Sequence, residues 1–142
     1  MIATSLNPLF FCLAAITSSA PIPQINIAKN ETNTPIEKRA YTGRASYFTP
    51  SFGACGTISN EDEMVVALPI SLYQAKAKTT NNVSGYCGKH VKVSWGGKST
   101  TATVVDKGML GESDLDLSPA AFQALGSLDH GVLENVQWNF VD

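Results

Sequence analysis

The most restrictive feature of the sequence is a pair of extended segments joined by two glycines. In the first segment, KHVKVSW, the apolar residues Val91, Val93 and Trp95 alternate with polar ones. Gly96 and Gly97 follow, and KSTTATVVD then resumes an extended pattern. Alternation with a period of two is typical of a strand with one buried face, and a two-residue glycine turn joins antiparallel neighbours. The pattern therefore predicts a β-hairpin and indicates a mainly β fold.

Five further segments complete the predicted elements. TGRASYFT, EMVVALP and VLENVQWNFV are predicted to be strands, the last because its apolar residues alternate with polar ones. ISLYQAKAK predicts a short helix. Ser118 followed by Pro119 is a typical N-cap and first helical residue, so PAAFQALG predicts a second short helix that ends near Gly126.

The first 39 residues have the composition of targeting and processing segments. Residues 1–20 have an apolar centre and end in small residues, as a secretory signal peptide does. Residues 21–39 are polar and end in Lys38-Arg39, which resembles a dibasic site for secretory proteases of fungal type. We interpret them as a propeptide or a disordered linker. Residues 40–142 form one domain of about 100 residues, without a later apolar run of about 20 residues. We expect a secreted, extracellular monomer that is not anchored in a membrane.

Cysteines and charges narrow the class of protein. With Cys12 in the signal peptide, Cys55 and Cys87 remain, and they can pair in only one way. Neither lies in a C-x-x-C motif and the histidines are far apart, so no metal is expected.

Residues 40–142 carry one arginine and six lysines against ten acidic residues, so nucleic acid is not an expected partner. The sequence contains no phosphate-binding glycine motif, so no cofactor is expected. Asn82 begins an N-V-S glycosylation acceptor.

Carboxylates are concentrated between the hairpin and the second predicted helix. This stretch holds Asp106, Glu112, Asp114 and Asp116 in what the pattern predicts to be a loop. For Asp114 we favour a turn or a favourable charge near the helix N-terminus, and Glu112 is expected to be solvated. Asp106, at a strand end, fits an Asx-type turn and a functional role equally well.

The order of these motifs resembles that of the rare-lipoprotein-A-like double-psi β-barrel family, which includes expansins, loosenins and barwin-type proteins. The matching motifs are ACG, YCGKHVKV, VVDKG and the DLS that precedes the helix. The resemblance implies a mainly β fold, a six-stranded double-psi β-barrel with one or two short helices. It further implies that Asp116 matches the general acid of related cell-wall glycosidases and that Asp106 lies beside it in a polysaccharide groove.

The resemblance also implies a function. An inverting glycosidase needs a second carboxylate to activate water, and the related enzymes place it at the end of the first strand. Here YFTPSFGACGTISN contains no acidic residue before Glu61, an absence shared by the wall-loosening relatives. We therefore expect binding of cell-wall polysaccharide, whether cellulose, chitin or peptidoglycan, without hydrolysis. Ser46 is expected to hydrogen-bond Asp106, and Tyr47 is the aromatic candidate for stacking on sugar.

Two alternatives stay open. Lytic transglycosylase chemistry uses the sugar itself as nucleophile and needs fewer carboxylates. Single-domain relatives also include cysteine-protease inhibitors and defence or virulence modules that bind a host or competitor protein. An inhibitory surface would depend on exposed loop residues such as Phe52 or Met109 and not on Asp116. The acidic loop, residues 107–111, lacks the cysteines found in many loosenin-like proteins and is expected to be less tethered.

Overall fold

The computed structural model describes residues 39–142, and its strands close into a single barrel. The predicted signal peptide, and all but the last residue of the predicted propeptide, lie outside the described residues. The six strands are β1 (Ala40–Tyr47), β2 (Val65–Pro69), β3 (His90–Trp95), β4 (Lys98–Gly108), β5 (Leu115–Leu117) and β6 (Leu133–Phe140). Two short helices, α1 (Ile70–Ala75) and α2 (Pro119–Gln123), and a 3-10 turn (Leu128–His130) complete the fold.

The strand order around the barrel is β1-β5-β2-β4-β3-β6, and β6 pairs with β1 to close it. Two of the pairings are parallel, β1 with β5 and β2 with β4. The mainly β, six-stranded barrel with two short helices confirms the fold that the resemblance implied.

The β3–β4 hairpin is as the glycine pair predicts. Trp95 pairs with Lys98 across a turn in which Gly96 and Gly97 have φ angles of 57° and 79°. Both positions need a left-handed backbone, which glycine adopts without a steric penalty.

Apolar side chains from all six strands fill the barrel. Every residue of β2 is buried, and the alternating apolar residues of β6 are buried as predicted. Tyr73 of α1 and Tyr86 are also fully buried, and the ring of Tyr86 stacks on Phe140 with centroids 4.5 Å apart. These two tyrosines belong to the core.

The N-cap of α2 also connects it to the barrel. The buried Ser118 hydroxyl accepts hydrogen bonds from the N–H of Ala121 at 3.3 Å and from the N–H of Val65 at 3.2 Å. One side chain therefore satisfies a free donor of the helix start and a donor at the start of β2. The helix ends at Gln123, three residues before the predicted Gly126, with Ala124 as its C-cap.

One strand differs from the prediction. The acidic stretch was expected to be a loop, but Leu115, Asp116 and Leu117 form β5, which lies between β1 and β2. A three-residue strand is too short to show a period of two, and its partners are distant in sequence. Asp116 is consequently fixed by two neighbouring strands.

A β-bulge in β4 sets the position of Asp106. Val66 of β2 pairs with Val104, but the next residue, Ala67, pairs with Asp106. Val105 is therefore the extra residue on β4. In a regular strand without the bulge, Val105 would stand opposite Ala67. Because an inserted residue shifts the following side chains to the other face of the sheet, the bulge places Asp106 there instead.

Candidate functional site

Four residues lie in register across four adjacent strands. Ser46 of β1 pairs with Asp116 of β5, Asp116 pairs with Ala67 of β2, and Ala67 pairs with Asp106 of β4. Residues paired in this way present their side chains on the same face of a sheet. We call Ser46, Asp116, Ala67 and Asp106 the carboxylate row. The small side chain of Ala67 separates the two carboxylates, whose Cα atoms lie roughly 10 Å apart, about two strand spacings.

Asp116 is a half-buried carboxylate of the row. The Ser46 hydroxyl donates a hydrogen bond of 3.0 Å to Asp116 Oδ1. Burial raises the pKa of Asp116, the hydrogen bond from Ser46 opposes this shift, and the charge of Asp106 adds to it. A carboxyl group that holds its proton more readily is suited to donate it, or to hydrogen-bond a sugar oxygen. The sequence predicted Ser46 as a partner of Asp106, and this was wrong, because the parallel pairing of β1 with β5 places Ser46 beside Asp116.

Asp106 performs a structural task. Its Oδ1 accepts hydrogen bonds from the N–H of Ala54 at 2.9 Å and from the N–H of Lys107 at 2.8 Å. The side chain thus holds the segment between β1 and β2 against the end of β4. The geometry shows the backbone-binding role considered for Asp106, with a partner, Ala54, that is distant in sequence. A role in a polysaccharide groove stays a prediction.

Tyr47 is separated from the row. It pairs with Leu117, and its ring meets Phe122 edge to face with centroids 4.9 Å apart. Successive residues of a strand point to opposite faces, so Tyr47 lies on the face opposite Ser46, although its side chain is 39% exposed. Phe48, whose N–H donates to Leu117, returns to the face of Ser46 and is half-buried.

A small cavity of about 170 Å³ adjoins the Ser46 end of the row. Asp114 Oδ1 accepts the N–H of Arg44 at 2.8 Å, and its Oδ2 lies 3.2 Å from the Arg44 guanidinium. Asp114 therefore has a structural role, as expected, but its partner is β1 and not the helix. The lining residues are Arg44, Ser46, Met109, Leu110, Gly111, Asp114 and Val132.

Sequence reasoning overlooked two of the polar residues near the row. Arg44 is the one arginine of residues 40–142, and a lone arginine inside a strand was an available signal. Glu61 was given only as the first acidic residue after the first strand, yet its carboxylate accepts a 3.2 Å hydrogen bond from Thr49, two residues after β1. Its main-chain carbonyl accepts the N–H of Ala120 at 3.1 Å. The fold therefore brings Glu61 back to the end of the first strand.

The remaining predicted residues are the two cysteines and Asn82. Cys55 and Cys87 form a disulfide, the pairing expected from the sequence. Asn82 is exposed at a φ of 55°, whereas Ser84 of its acceptor motif is buried. Glycosylation of Asn82 remains a prediction.

The described part of the chain contains neither a metal-binding cluster of side chains nor a membrane-spanning helix. Between residues 39 and 142, no group of three or more His, Cys, Asp or Glu side chains is arranged to hold a metal ion. Within the same range, no helix has the length and apolar character needed to cross a membrane.

The barrel belongs to a known class of protein. The model of the rare-lipoprotein-A-like double-psi β-barrel family, described as lytic transglycolase, matches residues 40–138. The chain belongs to this family.

Among individual relatives, a papain inhibitor of Streptomyces mobaraensis is 31% identical over 134 residues, which cover 92% of each chain. A solved Streptomyces papain inhibitor structure is 35% identical with a TM-score of 0.67, covering 78% of this chain and all of that one. An allergen homologue of Arthroderma benhamiae is 35% identical over 70% of this chain and 38% of its own length. A Clavibacter michiganensis expansin solved with cellohexaose shares the fold, at 23% identity and a TM-score of 0.61, over 73% of this chain and 51% of its own.

Proposed function

We propose that the chain is a secreted protein that binds cell-wall polysaccharide beside the carboxylate row and loosens its packing without hydrolysing it. The observation that carries this proposal is the Ser46–Asp116 hydrogen bond next to a cavity whose lining includes the polar side chains of Arg44, Ser46 and Asp114. Sugar hydroxyls are recognised by such fixed donors and acceptors. The Asp116 carboxyl, with its raised pKa, is the group that approaches a glycosidic or hydroxyl oxygen.

The structural bonds of Asp106 and Asp114 support binding over hydrolysis. An inverting hydrolase needs a base that activates water opposite the acid. Asp106 is the other carboxylate of the row, and its Oδ1 is engaged by two main-chain N–H groups. Asp114 is engaged by Arg44. Glu61, bound to Thr49, is the remaining carboxylate near the end of β1 and is the residue to test for a base.

The test is a pull-down of the purified protein with insoluble cellulose, chitin and peptidoglycan, followed by analysis of the supernatant for released sugars. Asp116→Asn keeps the size of the side chain and an acceptor for Ser46 while removing the acid. Asp129→Asn, at an exposed position of the 3-10 turn, is the matched control. We expect binding to at least one glycan without soluble product, weakened by Asp116→Asn and unchanged by Asp129→Asn.

Three other results would change the proposal. Reducing-end release that is lost in both Asp116→Asn and Glu61→Gln would identify a hydrolase. Anhydro-sugar release that is lost in Asp116→Asn but kept in Glu61→Gln would identify lytic transglycosylase chemistry, which needs one acid. If none of the three glycans is bound, polysaccharide binding is wrong.

We propose a second candidate function, inhibition of a papain-type cysteine protease. Similarity to a papain inhibitor over 92% of both chains supports it, as does the 35% identical solved inhibitor. Titration of papain activity with the purified protein tests it directly. Asp116→Asn should leave inhibition unchanged, since its carboxyl faces Ser46 and not an exposed apolar surface. If a stoichiometric amount of the protein does not lower papain activity, this function is excluded.

A further inference from the structure

The segment between β1 and β2 forms a small antiparallel hairpin, Ser51–Ser59, which we call the apolar hairpin. The N–H of Ser59 donates to the carbonyl of Ser51 at 3.0 Å, and the N–H of Gly53 donates to Thr57 at 3.0 Å. Between these bonds, Phe52 stands opposite Ile58. Directly opposed residues point to the same face, so their two side chains form one surface.

The tip of the apolar hairpin is held by several bonds to the barrel. Cys55 is in the disulfide, and its N–H donates to the carbonyl of Val105 at 3.1 Å. Ala54 donates its N–H to Asp106 and accepts a 3.0 Å hydrogen bond from the buried Tyr73 hydroxyl. Two consecutive residues therefore carry one covalent and three hydrogen-bonded restraints. The hairpin is therefore held in one conformation in the unbound protein.

Despite these restraints, the hairpin exposes large apolar side chains. Phe52 is 71% and Ile58 is 78% exposed, and neighbouring Met64 is 37% exposed. Ile58 and Met64 also line an adjoining surface cavity of about 400 Å³. Contiguous exposed apolar side chains mark interaction sites, and a rigid support reduces the entropy lost on binding. The exposed surface of the hairpin is thus suited to a protein partner.

An acidic rim borders this surface. Glu61, Asp62 and Glu63 follow the hairpin directly and are exposed, and no lysine or arginine occurs from residue 48 to residue 75. The matching partner surface has an apolar floor and a positively charged edge. Because Phe52 and Ile58 are exposed side chains of a hairpin held against the barrel, the partner surface must offer a depression that receives them.

We propose that the apolar hairpin enters the active-site cleft of a papain-type cysteine protease, with Phe52 and Ile58 as the central contacts. This inference rests on the inhibitory function proposed above and identifies the surface responsible for it. A protease cleft is concave and binds apolar side chains of its substrates. The closed main-chain hydrogen bonds of the hairpin keep it from adopting the extended form that a protease cleaves.

The test measures the inhibition constant and the association rate of the purified protein with papain. Phe52→Ala and Ile58→Ala should each raise the inhibition constant on the order of tenfold, through faster dissociation. Val141→Ala is the matched control, because Val141 is a 50% exposed apolar residue outside the hairpin and outside both cavities. Met109→Ala tests the other exposed loop, where Met109 is 89% exposed. Asp62→Lys should slow association at low salt and have less effect at high salt.

Thermal unfolding of each variant shows whether the barrel is intact, which we expect because both removed side chains are mostly exposed. If the protein inhibits papain but both hairpin variants inhibit equally well, the hairpin is not the contact surface and the inhibitory function stands. Loss of inhibition in Met109→Ala alone would likewise overturn the hairpin assignment. If the unmodified protein does not inhibit papain, both the inference and the inhibitory function are wrong, and the glycan proposal is unaffected.

Discussion

Two buried tyrosines differ in the partner of the hydroxyl group. The Tyr73 hydroxyl donates to the Ala54 carbonyl at 3.0 Å, whereas the Tyr86 hydroxyl has no hydrogen-bond partner among the described residues. Burial raises the pKa of Tyr86 to about 12. Tyr86→Phe should leave stability unchanged or increase it, while Tyr73→Phe should cost about 1 kcal/mol because it removes a made hydrogen bond. Urea unfolding of the two variants gives the comparison, and equal losses would contradict it.

Asp116 predicts a dependence of stability on pH. Its pKa is raised in the folded protein from an ordinary value of 3.8, so the folded state binds this proton more readily than the unfolded state does. Stability from this group is therefore fully present below pH 3.8 and is lost as the pH rises through the folded-state pKa. Asp116→Asn should match the unmodified protein in acid and exceed its stability at pH 7. Denaturant unfolding of both proteins at several pH values measures the difference between their free energies of unfolding. The prediction is contradicted if the variant loses stability relative to the unmodified protein as the pH rises from acid to 7.

At the scale of elements, the contact between the apolar hairpin and β4 requires a glycine. A Cβ atom on Gly53 would lie 2.3 Å from the carbonyl oxygen of Val105, a main-chain atom that cannot rotate away. Gly53→Ala should cost about 1–3 kcal/mol and displace the hairpin. Gly85→Ala is the control, because its Cβ would meet its nearest neighbour at 3.5 Å, an ordinary contact. Chemical denaturation should separate the two variants, and similar losses would argue against close packing at Gly53.

The elements that could be predicted are those whose signal is local. The β3–β4 hairpin follows from alternation and from Gly96-Gly97, and α2 follows from Ser118-Pro119. β5 could not be predicted because its three residues are defined by neighbours on β1 and β2. The same holds for the site. Asp116 and Ser46 were proposed individually, but their hydrogen bond joins residues 70 positions apart, and the bulge at Val105 that aligns Asp106 depends on β2.

At the scale of the whole molecule, the disulfide closes a segment of 32 residues that contains β2 and α1. Closing a loop of this length should stabilise the fold by about 3–4 kcal/mol, chiefly by restricting the unfolded chain. The double variant Cys55→Ala with Cys87→Ala should lose about this amount, a large part of the stability of a domain this size. Denaturant unfolding under non-reducing conditions measures the loss, and a change below about 1 kcal/mol would contradict the entropic estimate.

The pairing of β1 with β6, which closes the barrel, brings the two ends of the domain together. Ala40, the first residue of β1, pairs with Asn139 near the end of β6, so the polypeptide enters and leaves the barrel at one place. A unit with adjacent entry and exit points can be spliced into a longer polypeptide, or circularly permuted, without rearranging its interior. The matched region makes up 38% of the allergen homologue and 51% of the expansin, so in both proteins it is one part of a longer chain.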